Sequence, residues 1–375
     1  MLARHRLSNS RMLRSRGGLS GFFPIANSIE GVSMKRLVWC ALAFLGAVVA
    51  LRAQDFKSYQ NYDFVPGDKI LFEDDFRSDT DGEFAAHWKL LGGQAVVNKF
   101  QNDSAFMLID GNYVKVEPRI KTPAYLSDPF TVEFDFFPKN GGNAFRRFTV
   151  FLRRTGDEDR LVTFGSDTGT GGLEHDLSGH YPGDEVAFMD KWHHAALVYK
   201  NNQLKCYLDQ YRVLVVPDLG FVATSVAFGG ISNPEDPLIF KNVRVATGGG
   251  MNLIDKLTKD GRIVTHGILF DVNQSTLKPQ SMGTISQMVT LLKDNPSLKL
   301  EIGGHTDTDG DGAKNLTLSQ ARADAVKKII TDAGIDAARL TTKGYGATKP
   351  MDVNTTLEGK ANNRRVEFTK IGVTP

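Results

Sequence analysis

The chain has 375 residues, 41% hydrophobic and 23% charged, long enough for two domains that each bury a core. Its formal charge of +2 is unevenly spread, because residues 1–53 hold eight of the 45 Lys and Arg and one of the 43 Asp and Glu. The other 37 basic and 42 acidic residues net −5, which excludes a basic nucleic-acid surface. Nothing in the composition suits a disordered chain or a coiled coil.

Residues 1–33 carry Arg4, Arg6, Arg11, Arg14 and Arg16 and no core pattern, and a start at Met34 accounts for them most simply. From there Lys35 and Arg36 form a basic head, Leu37 to Leu51 is almost wholly apolar, and Ala50-Leu51-Arg52-Ala53 offers small residues for cleavage before Gln54. That is the layout of a secretory signal peptide over 34–53, and the apolar run is short for a membrane span. An exported protein is expected. Cys40 follows the bulky Trp39 at the front of the apolar run, the wrong place for lipidation. Cleavage leaves Cys206 as the remaining cysteine, so no intramolecular disulfide is expected.

Residues 54–68 read as a polar and aromatic lead-in. Over 69–246 the sequence is strand after strand. Phe130 to Phe137 places Val132, Phe134 and Phe136 on one face and Glu133 and Asp135 on the other. Similar runs are Phe148 to Leu152, His193 to Tyr199, Gln203 to Leu208, Tyr211 to Val216 and Leu238 to Val245, with Asn201-Asn202 and Asp209-Gln210 as hairpin turns. Strands at this spacing predict an all-β antiparallel sandwich.

Thr247-Gly-Gly-Gly250 opens a flexible linker over 247–260, and the pattern changes over 261–371. Met282, Ile285, Met288, Val289 and Leu292 recur at helical spacing between Pro279 and Asp294. Leu298, Leu300 and Ile302 then alternate as a strand, and a second helix is expected from about Leu318 to Ala333, ended by Gly334. Thr341 to Gly344 and Arg364 to Lys370 add strands, which makes a small α/β domain of strand–helix–strand–helix–strand order.

Between the central strand and the second helix stands Gly303-Gly-His-Thr-Asp-Thr-Asp-Gly-Asp-Gly312. Further on come Asn315, Leu318-Ser319, Arg322-Ala323, Gly334-Ile335, Gly344-Tyr345-Gly346, Pro350 and Asn363-Arg364-Arg365-Val366-Glu367. In these residues, over about 265–371, the chain resembles the OmpA C-terminal family, shared with Pal-type lipoproteins and flagellar stator subunits. The resemblance implies peptidoglycan binding without catalysis and without a cofactor, with Asp307 and Arg322 as the pair that holds diaminopimelate. It also implies that Thr306, Asn315, Leu318 and Ser319 line the pocket, with help from Asn273 and from Arg364 or Arg365.

The chemistry agrees with that implication. A diaminopimelate tip carries an ammonium and a carboxylate on one carbon, so holding it takes an anion and a cation close together. Arg grips a carboxylate with two parallel hydrogen bonds, and a helix N-terminus favours the same anion. Asn315 has a rival role as helix cap, with Thr317 and Gln320 as an alternative capping box. Asp307, Asp309 and Asp311 match the first half of a calcium loop, but Leu318 stands where the bidentate Glu belongs, so the extra acids read as a solvated rim. His305 has no second His at ligand spacing and reads as structural.

Residues 69–246 resemble the LamG and concanavalin-like lectin superfamily. The resemblance lies in Lys191-Trp192-His-His-Ala-Ala-Leu-Val-Tyr199, Leu204-Lys-Cys-Tyr-Leu-Asp209, Phe72-Glu-Asp-Asp-Phe76 and Phe240-Lys-Asn-Val-Arg-Val245. It implies a fold and not an activity. Glu133 and Asp135 are reminiscent of the clustered acids of polysaccharide hydrolases on this fold, but Phe137 stands where a third acid is sought, and both read as solvent-facing. The acids Asp157 and Asp159 read as a solvated loop. His193 and His194 point to opposite faces and are not expected to share a metal.

The expected protein is thus an exported, non-enzymatic peptidoglycan binder associated with the outer membrane, whose sandwich meets a glycan or an outer-membrane protein. The alternative is a cell-wall or polysaccharide hydrolase with a catalytic sandwich.

Overall fold

A computed structural model describes residues 62–140, 148–173, 176–249 and 253–372. The expected extension at 1–33, the signal peptide at 34–53 and Cys40 lie outside the described residues. No helix among the described residues is long and apolar enough to cross a membrane.

The sandwich runs β1 (Lys69–Asp74), β2 (Trp88–Phe100), β3 (Asp103–Pro118), β4 (Phe130–Phe137), β5 (Phe148–Arg153), β6 (Arg160–Phe164), β7 (Asp167–Gly171) and β8 (Ser178–His180). A single turn α1 (Glu185–Phe188) precedes β9 (His193–Lys200), β10 (Gln203–Leu208), β11 (Tyr211–Val216), β12 (Ser225–Ser232) and β13 (Leu238–Thr247). All pair antiparallel, in the order β11-β10-β9-β4-β13-β3-β12-β5-β6-β7-β8, with β1 added to β13 and β2 to β3. The sheet folds over until its ends meet. Gly179 of β8 sits so close to the Val213 carbonyl of β11 that no Cβ fits there.

Alternation drives this fold. Val132, Phe134 and Phe136 turn inward, and Phe134 packs on Phe148 at 4.7 Å and on Phe228 at 5.7 Å between ring centroids. Trp88 anchors the other end against Phe106, Phe228 and Phe240, and its indole N–H donates to Asp74 at 2.9 Å. Asn201 and Asn202, at φ 49° and 63°, make the hairpin turn that their sequence predicts.

The second domain runs α2 (Leu253–Asp260), β14 (Arg262–Thr265), α3 (Ser281–Asp294), β15 (Leu300–His305), α4 (Gly312–Asp332), β16 (Leu340–Gly346), α5 (Leu357–Asn363) and β17 (Val366–Lys370). Its four-stranded sheet has the order β14-β17-β15-β16, with β15 and β16 parallel and the other pairs antiparallel. Ile285, Met288 and Leu292 of α3 and Ala323, Val326 and Ile330 of α4 pack with Leu300, Ile302 and Phe368 into one core. Gly304 and Gly344 let α4 lie almost on the strands, since a methyl group at either would meet the backbone of Ser319 or Gln320.

Two expectations change here. Residues 253–260, read as linker, form a helix whose Leu253 and Leu257 join the second core. Helix α4 starts at Gly312 and not near Leu318, because the side chain of Asp311 accepts from the Lys314 N–H at 2.9 Å and caps it. The apolar spacing begins one and a half turns later than the helix, so periodicity alone placed the start too late.

The two domains share one compact unit. Tyr62 and Phe64, from the segment read as a lead-in, pack on Tyr207 and Met282, and Phe64 O accepts from Gln287 at 2.7 Å. Asn362 donates to Ile70 O at 3.0 Å and accepts from Ile70 N–H at 2.7 Å, which closes the open edge of β1.

Candidate binding cleft

Between the domains lies a cavity of about 690 Å³. One wall is the loop after β15 with α4; the other is the outward face of β1, β4 and β9.

Asp307 stands where β15 gives way to the loop and is 8% exposed. Asn315 fixes that loop from below, donating to Asp307 O at 3.3 Å and Asp309 O at 2.9 Å. Asp307 Oδ1 accepts from the Asp309 N–H at 3.0 Å, and Oδ2 accepts from Arg364 Nη1 at 2.7 Å. The other terminal nitrogen of Arg364 pairs with Glu73 of β1. Glu73 in turn takes Arg244 through two hydrogen bonds of 3.0 and 2.6 Å. Burial raises the Glu73 carboxyl, but Arg244 and Arg364 outweigh it and hold it down at about 2.

Arg322 faces the same cleft differently. Its Nε donates to Gln274 O at 3.0 Å, and its guanidinium lies 4.9 Å over the Phe270 ring. No carboxylate among the described residues stands within 4 Å of it. Burial lowers its pKa, with Asp307 pulling up and Arg364 pushing down. A cation is thus held in place, and among the described residues its terminal nitrogens meet no acceptor.

The structure therefore brings Asp307 and Arg322 into one cleft but gives Asp307 a different direct partner, Arg364. Arg322 also lies ten residues into α4, about 15 Å from its N-terminus at 1.5 Å per residue, whereas a helix starting near Leu318 would have put it in the first turns. Asn315 is not the cap; Asp311 is, and Asn315 braces the Asp307 loop instead. Thr317 sits inside the helix and donates to Ala313 O at 3.0 Å.

Thr306, Leu318 and Asn273 line the cleft, the last in a left-handed turn at φ 56°. Ser319 does not; it is fully buried, donating to Leu316 O at 2.8 Å and accepting from the Gly346 N–H at 2.9 Å. Arg365 turns inward, with Nε on Glu367 at 2.6 Å, which leaves Arg364 as the arginine of that pair that reaches Asp307. His305 stacks on Tyr345 at 4.9 Å, and burial pushes it down to about 4. Asp309 pairs with Lys360 at 2.7 Å.

Sequence reasoning missed the sandwich wall. Glu133 and Asp135 are not solvent-facing; they are 4% and 9% exposed on the cleft floor. His194 is 2.8 Å from Asp135 and 3.6 Å from Glu133, and Asn242 donates to Asp135 at 2.6 Å. Burial depresses His194, yet the two carboxylates overcome it and lift the imidazole to about 10, so it stands as a cation between them. His193 faces the opposite way, onto Asp209 at 2.7 Å. Asp157 and Asp159 pair with Arg154 at 2.6 Å and Lys115 at 2.7 Å.

Residues 269–364 match the OmpA family. The outer-membrane lipoprotein YfiB of Pseudomonas aeruginosa is 32% identical over 133 residues, which is 36% of this chain and 78% of that protein. The chain belongs to the OmpA family. The probable lipoprotein YiaD of Escherichia coli is 40% identical over 104 residues, 28% of this chain, which spans about half of that relative's length (48%). Among solved structures, the peptidoglycan-associated lipoprotein from Burkholderia pseudomallei is 28% identical, with 28% of this chain and 87% of that one covered at a TM-score of 0.26. Both Asp307 and Arg322 fall inside the OmpA match, whereas Glu73, Glu133, Asp135, His194 and Arg244 belong to the sandwich outside it.

Proposed function

We propose that this is a non-enzymatic cell-envelope protein that binds peptidoglycan in the cleft, through the diaminopimelate of the stem peptide. The observation that carries this reading is the placement of Asp307 and Arg322 on one wall, with the terminal nitrogens of Arg322 offered to a ligand carboxylate. Asp307 takes the ligand ammonium at the oxygen where Arg364 now stands, and Arg322 takes the carboxylate. Asn315 keeps the Asp307 loop in shape, while Asn273, Thr306 and Leu318 border the same space.

Membership of the OmpA family, and the names of outer-membrane relatives, support a place in the envelope at the outer membrane and cell wall. The domain limits that go with this reading are 69–247 for the sandwich and 253–371 for the wall-binding domain, which takes in the helix first read as linker. The sandwich serves as a glycan- or protein-binding module.

The alternative of a glycan hydrolase has one observation in its favour, the Glu133 and Asp135 pair on the cleft floor. Against it, both acids face the His194 cation, Asn242 holds Asp135, and Phe137 is buried where a third acid would stand. Release of reducing sugar ends by the purified protein would revive the hydrolase.

The test of the binding reading is sedimentation with insoluble peptidoglycan. Asp307→Ala and Arg322→Ala should each lose about 2–5 kcal/mol of binding and leave the protein in the supernatant while its circular dichroism is unchanged. Sedimentation of both variants at the wild-type level would contradict the site.

A further inference from the structure

The wall-binding residues do not stand alone in the cleft. Arg364 bridges two carboxylates from different domains, Asp307 on the OmpA side and Glu73 on β1 of the sandwich. Alternation over the last residues of β1 explains why Glu73 is there: Phe72 packs in the sandwich core and Asp74 turns the same way onto the Trp88 indole, so Glu73 between them faces the second domain. Its far side is tied to Arg244, which also donates to His266 O at 3.0 Å and stands 3.8 Å from Glu133. Glu73 is therefore positioned from both sides.

We propose that Glu73 is a specificity-determining residue of the site, which it sets to accept a zwitterion in place of a plain anion. This deepens the peptidoglycan reading of the cleft and rests on it. In the cleft the carboxylates of Asp307, Glu73, Glu133 and Asp135 face the cations of Arg322, Arg364, Arg244 and His194, four against four. The site is balanced, and a ligand bearing one ammonium and one carboxylate leaves it balanced. Without Glu73 the same place carries a net positive charge. Arg364 then interacts with Asp307 alone and competes harder with the ligand ammonium, while any carboxylate is drawn in regardless of its neighbour. The OmpA domain supplies the contacts, and the sandwich supplies the discrimination.

The test uses the protein and two peptides: a stem tripeptide ending in diaminopimelate, and the same peptide lacking only the side-chain ammonium. Calorimetry on the wild type should show a preference for the first. In Glu73→Gln, affinity for the diaminopimelate peptide should fall about tenfold with little change for its deaminated analogue, so the preference narrows by about the same factor. Equal losses for both peptides, or an unmoved preference, would overturn the proposal and leave the peptidoglycan reading intact. A wild type that binds neither peptide would overturn both. Because Glu73→Gln leaves Arg244 and Arg364 short of an anion, the double variant Glu73→Gln with Arg364→Gln provides a second measurement. It removes one charge of each sign, and it should regain the preference at a lower overall affinity; a double variant as indiscriminate as the single one would also contradict the assignment.

Discussion

The His194 imidazole shows how far a residue's surroundings outweigh its type. Its ordinary pKa is 6.5, and Asp135 and Glu133 lift it to about 10 in the folded chain. The native state therefore holds a proton that the unfolded chain releases, so this contribution to stability is complete below about pH 6.5 and is lost as pH rises towards 10. His266 and His305 have the opposite sign. Burial holds each at about 4, so each costs stability as pH falls from 6.5 towards 4. The thermal midpoint of the wild type should decline on the alkaline side between about pH 7 and 10, and His194→Gln should flatten that decline. A variant with the same alkaline slope would remove His194 from this role. The sequence shows Glu133 and Asp135 on one face of a strand, and that much is right. What covers that face is a long-range property, and one strand's alternation carries no record of a second domain resting against it.

At the scale of elements, strands were read better than helices. In β9 and β10 the burial follows the apolar run or the alternation that marks them, whereas β4 is buried on both faces, and Asn201, Asn202 and Asp209 of the two turns sit at positive φ. The start of α4 was misplaced because its first turn is polar and exposed, from Gly312 through Lys314, and takes its stability from the Asp311 cap and not from burial. Strand β14 and helix α5 are only four and seven residues long, too short for either period to be recognised. Asp311→Ala should cost about 1 kcal/mol, read as a lower thermal midpoint. Because the same loop carries Asp307, peptidoglycan binding should weaken as well. A variant of unchanged midpoint would mean that the loop holds its shape without the cap.

For the whole molecule, the OmpA motif of the second domain was legible in the sequence, and Asp307, Arg322, Thr306, Leu318 and Asn273 do meet in one cleft. The interface was not legible. Tyr62, Phe64, Ile70, Glu73 and Asn362 lie far apart in sequence and meet through contacts that no local pattern announces. Those contacts predict that both domains unfold together. Asn362→Ala leaves the Ile70 backbone N–H and C=O without their partner at a buried edge, which should cost about 1–3 kcal/mol. Scanning calorimetry should show one transition in the wild type and two in the variant, as the domains uncouple. Two transitions already in the wild type would mean that the interface does not bind the domains into one cooperative unit.

The most direct test of the central claim is a crystal structure of the protein soaked with diaminopimelate. The ligand should occupy the interdomain cleft, with its ammonium on Asp307 and its carboxylate on Arg322 and with Arg364 moved towards Glu73. An empty cleft at saturating ligand, or a ligand bound elsewhere with Asp307 and Arg322 unchanged, would contradict it.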